Sequence, residues 1–276
     1  MWNELALQTT HGDSYTDLIR LFKIREVLGP VFGSEDLCIL LYSLIRREVP
    51  RTLVELGTGL GVSALWMAQA VKENGVGHVY TLDDGRDFDQ SLDCLAKVDE
   101  LLTPELHPMT KGGIEEHLAR FSTACGLTEH LTFRRATFGD DGDDLLAPES
   151  CYFGDGTIDL LLADFAHDPE SIMNILAFFL PRMSDCSSIF IDGASTHLSS
   201  YLVLERIVEQ LNRSKMPARF LEVKSKDQRW ELFQIVSQRT FRLIHLVERR
   251  ERAQNSTAWI RIEPTDWKPH PPSKLH

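Results

Sequence analysis

The stretch Leu53–Trp66, LVELGTGLGVSALW, constrains this chain more than any other part of it. A short apolar run carries an acid, Glu55, near its end and passes through Gly57, Gly59 and Gly61 before a helical pattern starts. A strand that turns directly into a helix opens a βαβ unit, and such units build parallel sheets with helices on both faces. The rest of the chain keeps that rhythm. TLVELG, GHVYTLDD, LTFRRAT, TIDLLLAD and SSIFIDG read as strands. GVSALWMAQAVKE, EEHLARFSTACG, ESIMNILAFFLPRM and HLSSYLVLERIVEQLNRS read as the helices that follow them. The expected fold is α/β, with a doubly wound, mostly parallel sheet and ligands outside the carboxyl ends of its strands.

Two segments depart from the alternation. Residues 1–50 hold two helical patterns, Ser14 to Leu28 and EDLCILLYSLIRREV capped by Ser34, and are read as an N-terminal helical cap. Residues 51–250 form the α/β domain, with an insertion at 85–113 longer than an ordinary connection, read as a lid or a surface elaboration. The later stretch RFLEVKSKDQRWELFQIVSQRTFRLIHLVERR is rich in β-formers and predicts a closing antiparallel hairpin. It is long enough to pair across a homodimer. Residues 251–276 are read as a C-terminal tail, poorly ordered from 264 onward.

Charge excludes one class of partner. A net charge of -12 over 276 residues disfavours nucleic acid, and Arg249, Arg250 and Arg252 are read as a solvated charged segment. The five cysteines are scattered without a CxxC, which suits reduced thiols in the cytoplasm. No signal-peptide pattern opens the chain, and no apolar run reaches the ~20 residues of a membrane span. The sequon at Asn255, NST, is read as accidental.

The glycine turn points to a ligand chemistry. Its spacing is G-x-G-x-G, not the G-x-G-x-x-G of a dinucleotide site. Glu55 would repel a pyrophosphate and attract a cation. An aminocarboxypropyl sulfonium offers an ammonium to that acid, and its carboxylate suits the exposed helix amides and the Ser63 hydroxyl. A carboxylate ending the second strand, Asp83 or Asp84, can accept both hydroxyls of a ribose.

These residues resemble motif I of the class I S-adenosylmethionine (SAM) dependent methyltransferases, across about Ser34 to Gln210. VELGTGLGVSALWMA is similar to the catechol-type and sugar-type O-methyltransferases in particular. The resemblance implies a Rossmann-like sheet and SAM as cofactor. It also implies a cofactor-binding set of Glu55, Gly57, Thr58, Gly59, Gly61, Ser63, Asp83, Asp84, Thr137 and Asp164. Asp83 aligns with the ribose-binding acid, with Asp84 as the alternative. Thr137 faces the adenine edge where many relatives have Gly-Asp.

The fourth and fifth strands end in LLLADFAHDPES and IFIDGASTH. In a parallel sheet Asp164 and Asp192 reach the same edge, where one is protonated or a divalent ion bridges them. D-x-x-H adds His167. The resemblance, here to metal-dependent macrolide-sugar O-methyltransferases, implies Asp164 and Asp192 as Mg2+ ligands and His167 as general base. Asp164 counts with His167 among the catalytic residues. Gly193 replaces the second Asp or Asn usual in that group, and His197 is a secondary candidate for the base. The expected function is O-methylation of a hydroxylated small molecule. Small-molecule N-methylation without metal and a non-catalytic SAM-binding protein are the alternatives, while the glycine spacing argues against a nicotinamide oxidoreductase.

Overall fold

The structure is a computed structural model that describes residues 17–19, 21–23, 35–86, 88, 113–136, 153, 156–195, 198–222, 225–247 and 256–266. Two compact units divide the chain, Met1–Phe153 and Gly154–His276.

The first unit runs α1 (Glu35–Glu48), β1 (Thr52–Leu56), α2 (Val62–Asn74), β2 (His78–Asp83), α3 (Gly113–Ala124) and β3 (Leu131–Arg135). β1, β2 and β3 are parallel, with Glu55 paired to Thr81 and Asp83 to Arg135. α1 cannot pass Pro50, and the chain leaves it through Val49 at φ 55. α2 is buried from Val62 to Val71 because it packs on β2 and against α1. Its Ala64, Ala68 and Ala70 allow that close approach, and Trp66 fills the space above them. Phe22 and Tyr42 meet the Trp66 ring edge-on, with centroids 4.9 and 6.0 Å away. A buried side chain of this size contributes roughly 2–3 kcal/mol.

The second unit runs β4 (Ile158–Ala163), α4 (Pro169–Phe179), β5 (Met183–Asp192), α5 (Leu198–Asn212), α6 (Lys226–Ser237), β6 (Arg239–Val247) and β7 (Ser256–Pro264). β4 and β5 are parallel, while β7 is antiparallel to both β5 and β6. α4 starts sharply because Asp168 Oδ1 accepts from the amides of Glu170 and Ser171, at 2.9 and 3.0 Å, with Pro169 in the first turn. Such a cap contributes about 1 kcal/mol.

The strand order is β3-β2-β1 in the first unit and β4-β5-β7-β6 in the second. This is the expected doubly wound, mostly parallel, Rossmann-like sheet with its antiparallel C-terminal hairpin. Among the described residues, no helix is long and apolar enough to cross a membrane.

Three features differ from the sequence reading. β5 begins at Met183, before SSIFIDG, because Met183 is buried and pairs with Ile158 of β4. α6 falls where only β-rich pieces were expected. It turns just Leu232 and Val236 inward and leaves Trp230 64% exposed, too thin an apolar stripe to read as a helix. Ser256–Pro264, read with the tail, is a strand between β5 and β6 with Ala258, Ile260 and Ile262 buried. Most of the 85–113 insertion, with Thr137 and His197, lies outside the described residues.

Candidate active site

In the first unit the site is built where β1 and β2 end. Glu55 sits in the middle of the sheet with 0% exposure. Thr81, its partner across the strands, donates its hydroxyl to Glu55 Oε2 at 2.5 Å. That hydroxyl in turn accepts from Thr58 Oγ1 at 2.6 Å, so a chain of donors runs from the glycine loop to the acid. Ser63, in the first turn of α2, donates to Glu55 Oε1. Its single proton is thereby spent on Glu55, and the expected donation to a ligand carboxylate is not available in this arrangement. Burial pushes the Glu55 carboxyl up to about 7, against the pull of Ser63 and Thr81, with the Asp83 charge adding to the rise.

Asp83 organises the loop itself. Its Oδ2 accepts from the amides of Thr58 and Gly59 at 2.8 and 3.1 Å, and Oδ1 accepts from Gly85 at 2.6 Å. A carboxylate has about four acceptor sites, so Oδ1 keeps capacity for a hydroxyl. Asp84 is turned elsewhere. Its carboxylate pairs with Arg86 at 2.9 Å, and its carbonyl accepts from Arg135. The two acids left open by the sequence thus separate, with Asp83 on the glycine loop.

Gly57, Gly59 and Gly61 all take positive φ. Gly61 has φ 83, and a Cβ there would stand 2.4 Å from Leu118 Cδ2, so the Leu118 side chain would have to move. A side chain there meets both backbone strain and a clash.

In the second unit, Asp164 and Asp192 follow β4 and β5 at one level, since Ala163 pairs with Ile191. Asp192 is buried, and its Oδ1 accepts from Thr257 Oγ1 at 2.5 Å. Burial raises the Asp192 carboxyl, opposed by the Thr257 hydrogen bond and the nearby His167. His167 Nδ1 lies 3.0 Å from the Asp192 carbonyl oxygen. A carbonyl only accepts, so Nδ1 carries the proton and Nε2 of the neutral ring bears the lone pair. The same strand-to-helix turn is held by Ser200 Oγ donating to the His167 carbonyl.

The turn after β5 is fastened to β7. Ser195 N donates to Ser256 Oγ at 2.9 Å, and Ala194 N to Ser256 O at 3.3 Å. Ser256 and Thr257, which follow Asn255 in the NST sequon, are both buried. Gly193, at the position where the resemblance implies Asp or Asn, takes φ 62, a left-handed conformation glycine adopts without steric cost.

Magnesium was left open at Asp164 and Asp192. Among the described residues, no three His, Cys, Asp or Glu side chains come together so as to hold a metal ion. An ion held here would take Asp164 and Asp192 as its protein ligands and complete its shell with water and substrate oxygens.

Sequence reasoning missed Thr81, Thr257 and the buried His117. Thr81 and Thr257 had no signal beyond a hydroxyl in a strand. His117 had one, an imidazole at an apolar position of an amphipathic helix beside Leu118 and Phe121.

A Rossmann-like sheet whose first strand carries a buried acid before a G-x-G-x-G turn defines the class I methyltransferase architecture. The chain belongs to the methyltransferase-domain family, whose model matches residues 54–194, a span that includes Glu55, Asp83, Asp164, His167 and Asp192. No curated protein matches the chain. Among solved structures it is similar to the O-methyltransferase TomG of Streptomyces achromogenes, involved in tomaymycin synthesis and determined with SAM. The identity is 17%, with 92% of this chain and 96% of that chain covered, at a TM-score of 0.48. An O-methyltransferase of Bacillus cereus in complex with SAH is 11% identical, with 94% of each chain covered and a TM-score of 0.48. A methyltransferase of Geobacter sulfurreducens is 15% identical, with 90% of each chain covered and a TM-score of 0.48.

Proposed function

We propose that this protein transfers a methyl group from SAM to a hydroxyl of a small molecule. The observation that carries the reading is the pair of acids on the glycine loop, Glu55 buried in β1 and Asp83 bonded to the Thr58 and Gly59 amides. Two carboxylates exclude a pyrophosphate there and suit a ligand with an ammonium and a vicinal diol. SAM has both, and the residues fit it. When bound it supplies a methyl group on a sulfonium that is ready to leave.

The chain's own part is to bind, align and deprotonate. Glu55 balances the ammonium, Asp83 Oδ1 accepts a ribose hydroxyl, and the loop amides stay fixed while it does so. His167 is the general base. With Nδ1–H on the Asp192 carbonyl, Nε2 takes the proton of the acceptor hydroxyl as the oxygen attacks. Asp192 supports that bond from the buried side of the turn. No step runs through a metal. A cytoplasmic setting suits its scattered cysteines, which form no CxxC.

Calorimetric titration of ligand-free protein with SAM, with NAD as control, tests the cofactor. Binding of SAM alone supports the reading, and a folded protein that ignores SAM overturns it. Turnover of labelled SAM over hydroxylated and amine acceptors then separates O- from N-methylation.

A further inference from the structure

One titratable side chain of the first unit is buried with no part in the chemistry above. His117 lies on α3 with 0% exposure, its ring centroid 4.0 Å from Phe121 and 5.3 Å from Phe88. It occupies the apolar face with Ile114, Leu118 and Phe121, where an apolar side chain would pack without losing any hydration. Burial pushes the imidazole down to about 4, so the ring is neutral near pH 7. Nε2 stands 3.1 Å from the Leu60 carbonyl oxygen, which only accepts, so Nε2 carries the proton. Nδ1 is left an acceptor, buried with no hydrogen-bond partner among the described residues. A polar ring kept at that cost is explained by the one bond it makes.

That bond lands on the Leu60–Gly61 peptide of the glycine loop. The Gly61 amide donates to Thr58 O at 2.8 Å, and the Leu60 carbonyl at the other end of the same peptide accepts from His117. Gly61 is the N-cap of α2, at φ 83, with no side-chain cap. Glycine tolerates either sign of φ, so this plane turns over readily unless both ends are held. Leu118, the next residue of α3, fills the space beside Gly61. One turn of α3 therefore holds the loop by packing and by a hydrogen bond.

We propose that His117 is a positioning residue for the cofactor loop. Its Nε2–H bond keeps the Leu60–Gly61 peptide in the orientation that sets the Thr58 and Gly59 amides on Asp83, and it thereby tunes affinity for SAM. The inference rests on the reading of this loop as the SAM site.

The test compares His117→Phe, which keeps a ring against Phe121 and loses the donor, with His117→Gln, which keeps a donor. Phe121→Leu loosens α3 without touching the loop. SAM affinity is measured by calorimetry, and folding by thermal melting without ligand. Losing the bond is expected to weaken SAM binding by on the order of tenfold in His117→Phe. His117→Gln recovers most of that, and Phe121→Leu lowers the melting temperature with SAM affinity unchanged. A folded His117→Phe that binds SAM as tightly as wild type overturns the proposal. So does equal weakening in Phe121→Leu, which marks a merely structural role.

If His117→Phe does not fold, nitrogen NMR of the wild-type imidazole decides. The Nε2–H tautomer, with a coupling across to the Leu60 carbonyl, supports the clamp, and the Nδ1–H tautomer refutes it. Failure of wild type to bind SAM sinks the cofactor reading and with it the role in affinity, while the NMR result still reports on the hydrogen bond itself.

Discussion

Replacing Glu55 with glutamine is expected to make the ligand-free protein more stable at pH 8 and to leave it nearly unchanged at pH 4.5. The wild-type carboxyl is fully buried and rises from an ordinary 4.5 to about 7. Between those values the folded protein holds a proton that the unfolded chain has released. The stability linked to Glu55 is therefore complete below 4.5 and is lost as pH climbs through about 7. At about 1.4 kcal/mol per pH unit, the loss comes to roughly 3 kcal/mol. Glutamine has the same shape, carries no charge and can still bond to the hydroxyls of Ser63 and Thr81, so its stability does not follow this slope. Urea unfolding of both proteins from pH 4.5 to 8.5, without ligand, measures the difference. Curves that run parallel across the whole range would refute the reasoning. The same variant is expected to bind SAM more weakly, because the ammonium loses its counter-charge. A gain in stability with a loss in affinity marks a residue kept for its ligand rather than for the fold.

Other perturbations give independent checks. Gly61→Ala forces a side chain to φ 83 against Leu118 and is expected to cost about 1–3 kcal/mol in urea unfolding, of which a paired Leu118→Ala recovers only the clash. His167→Asn is expected to lower kcat by ~10² to 10⁴ while leaving the calorimetric affinity for SAM intact, and an unchanged kcat removes His167 from the mechanism. Thr257→Val strips Asp192 Oδ1 of its donor and drives that carboxyl further up. It is expected to destabilise by ~1–3 kcal/mol above neutral pH and by less in acid, read from the same urea series.

Much of the molecule was legible in one dimension because its signals are local. The strand-to-helix alternation, the glycine turn and the acids ending strands depend on neighbours a few residues apart, and all of these appear where expected. What failed lacked a local signal. α6 buries too few residues to show its period, and β7 reads as a short polar-edged tail until β5 and β6 flank it.

The site divides in the same way. Sequence alone determined that Glu55 and the three glycines stand at one strand-to-helix turn, because Gly61 follows Glu55 by only six positions. Tertiary structure alone decided that Asp83 rather than Asp84 holds the loop, since both lie in one dipeptide and only the packing of Arg86 and Arg135 turns them apart. It also brought Thr257 to Asp192, 65 residues away, and His117 to Leu60, 57 residues away. Such contacts follow from how strands and helices stack, and no spacing in the chain encodes them.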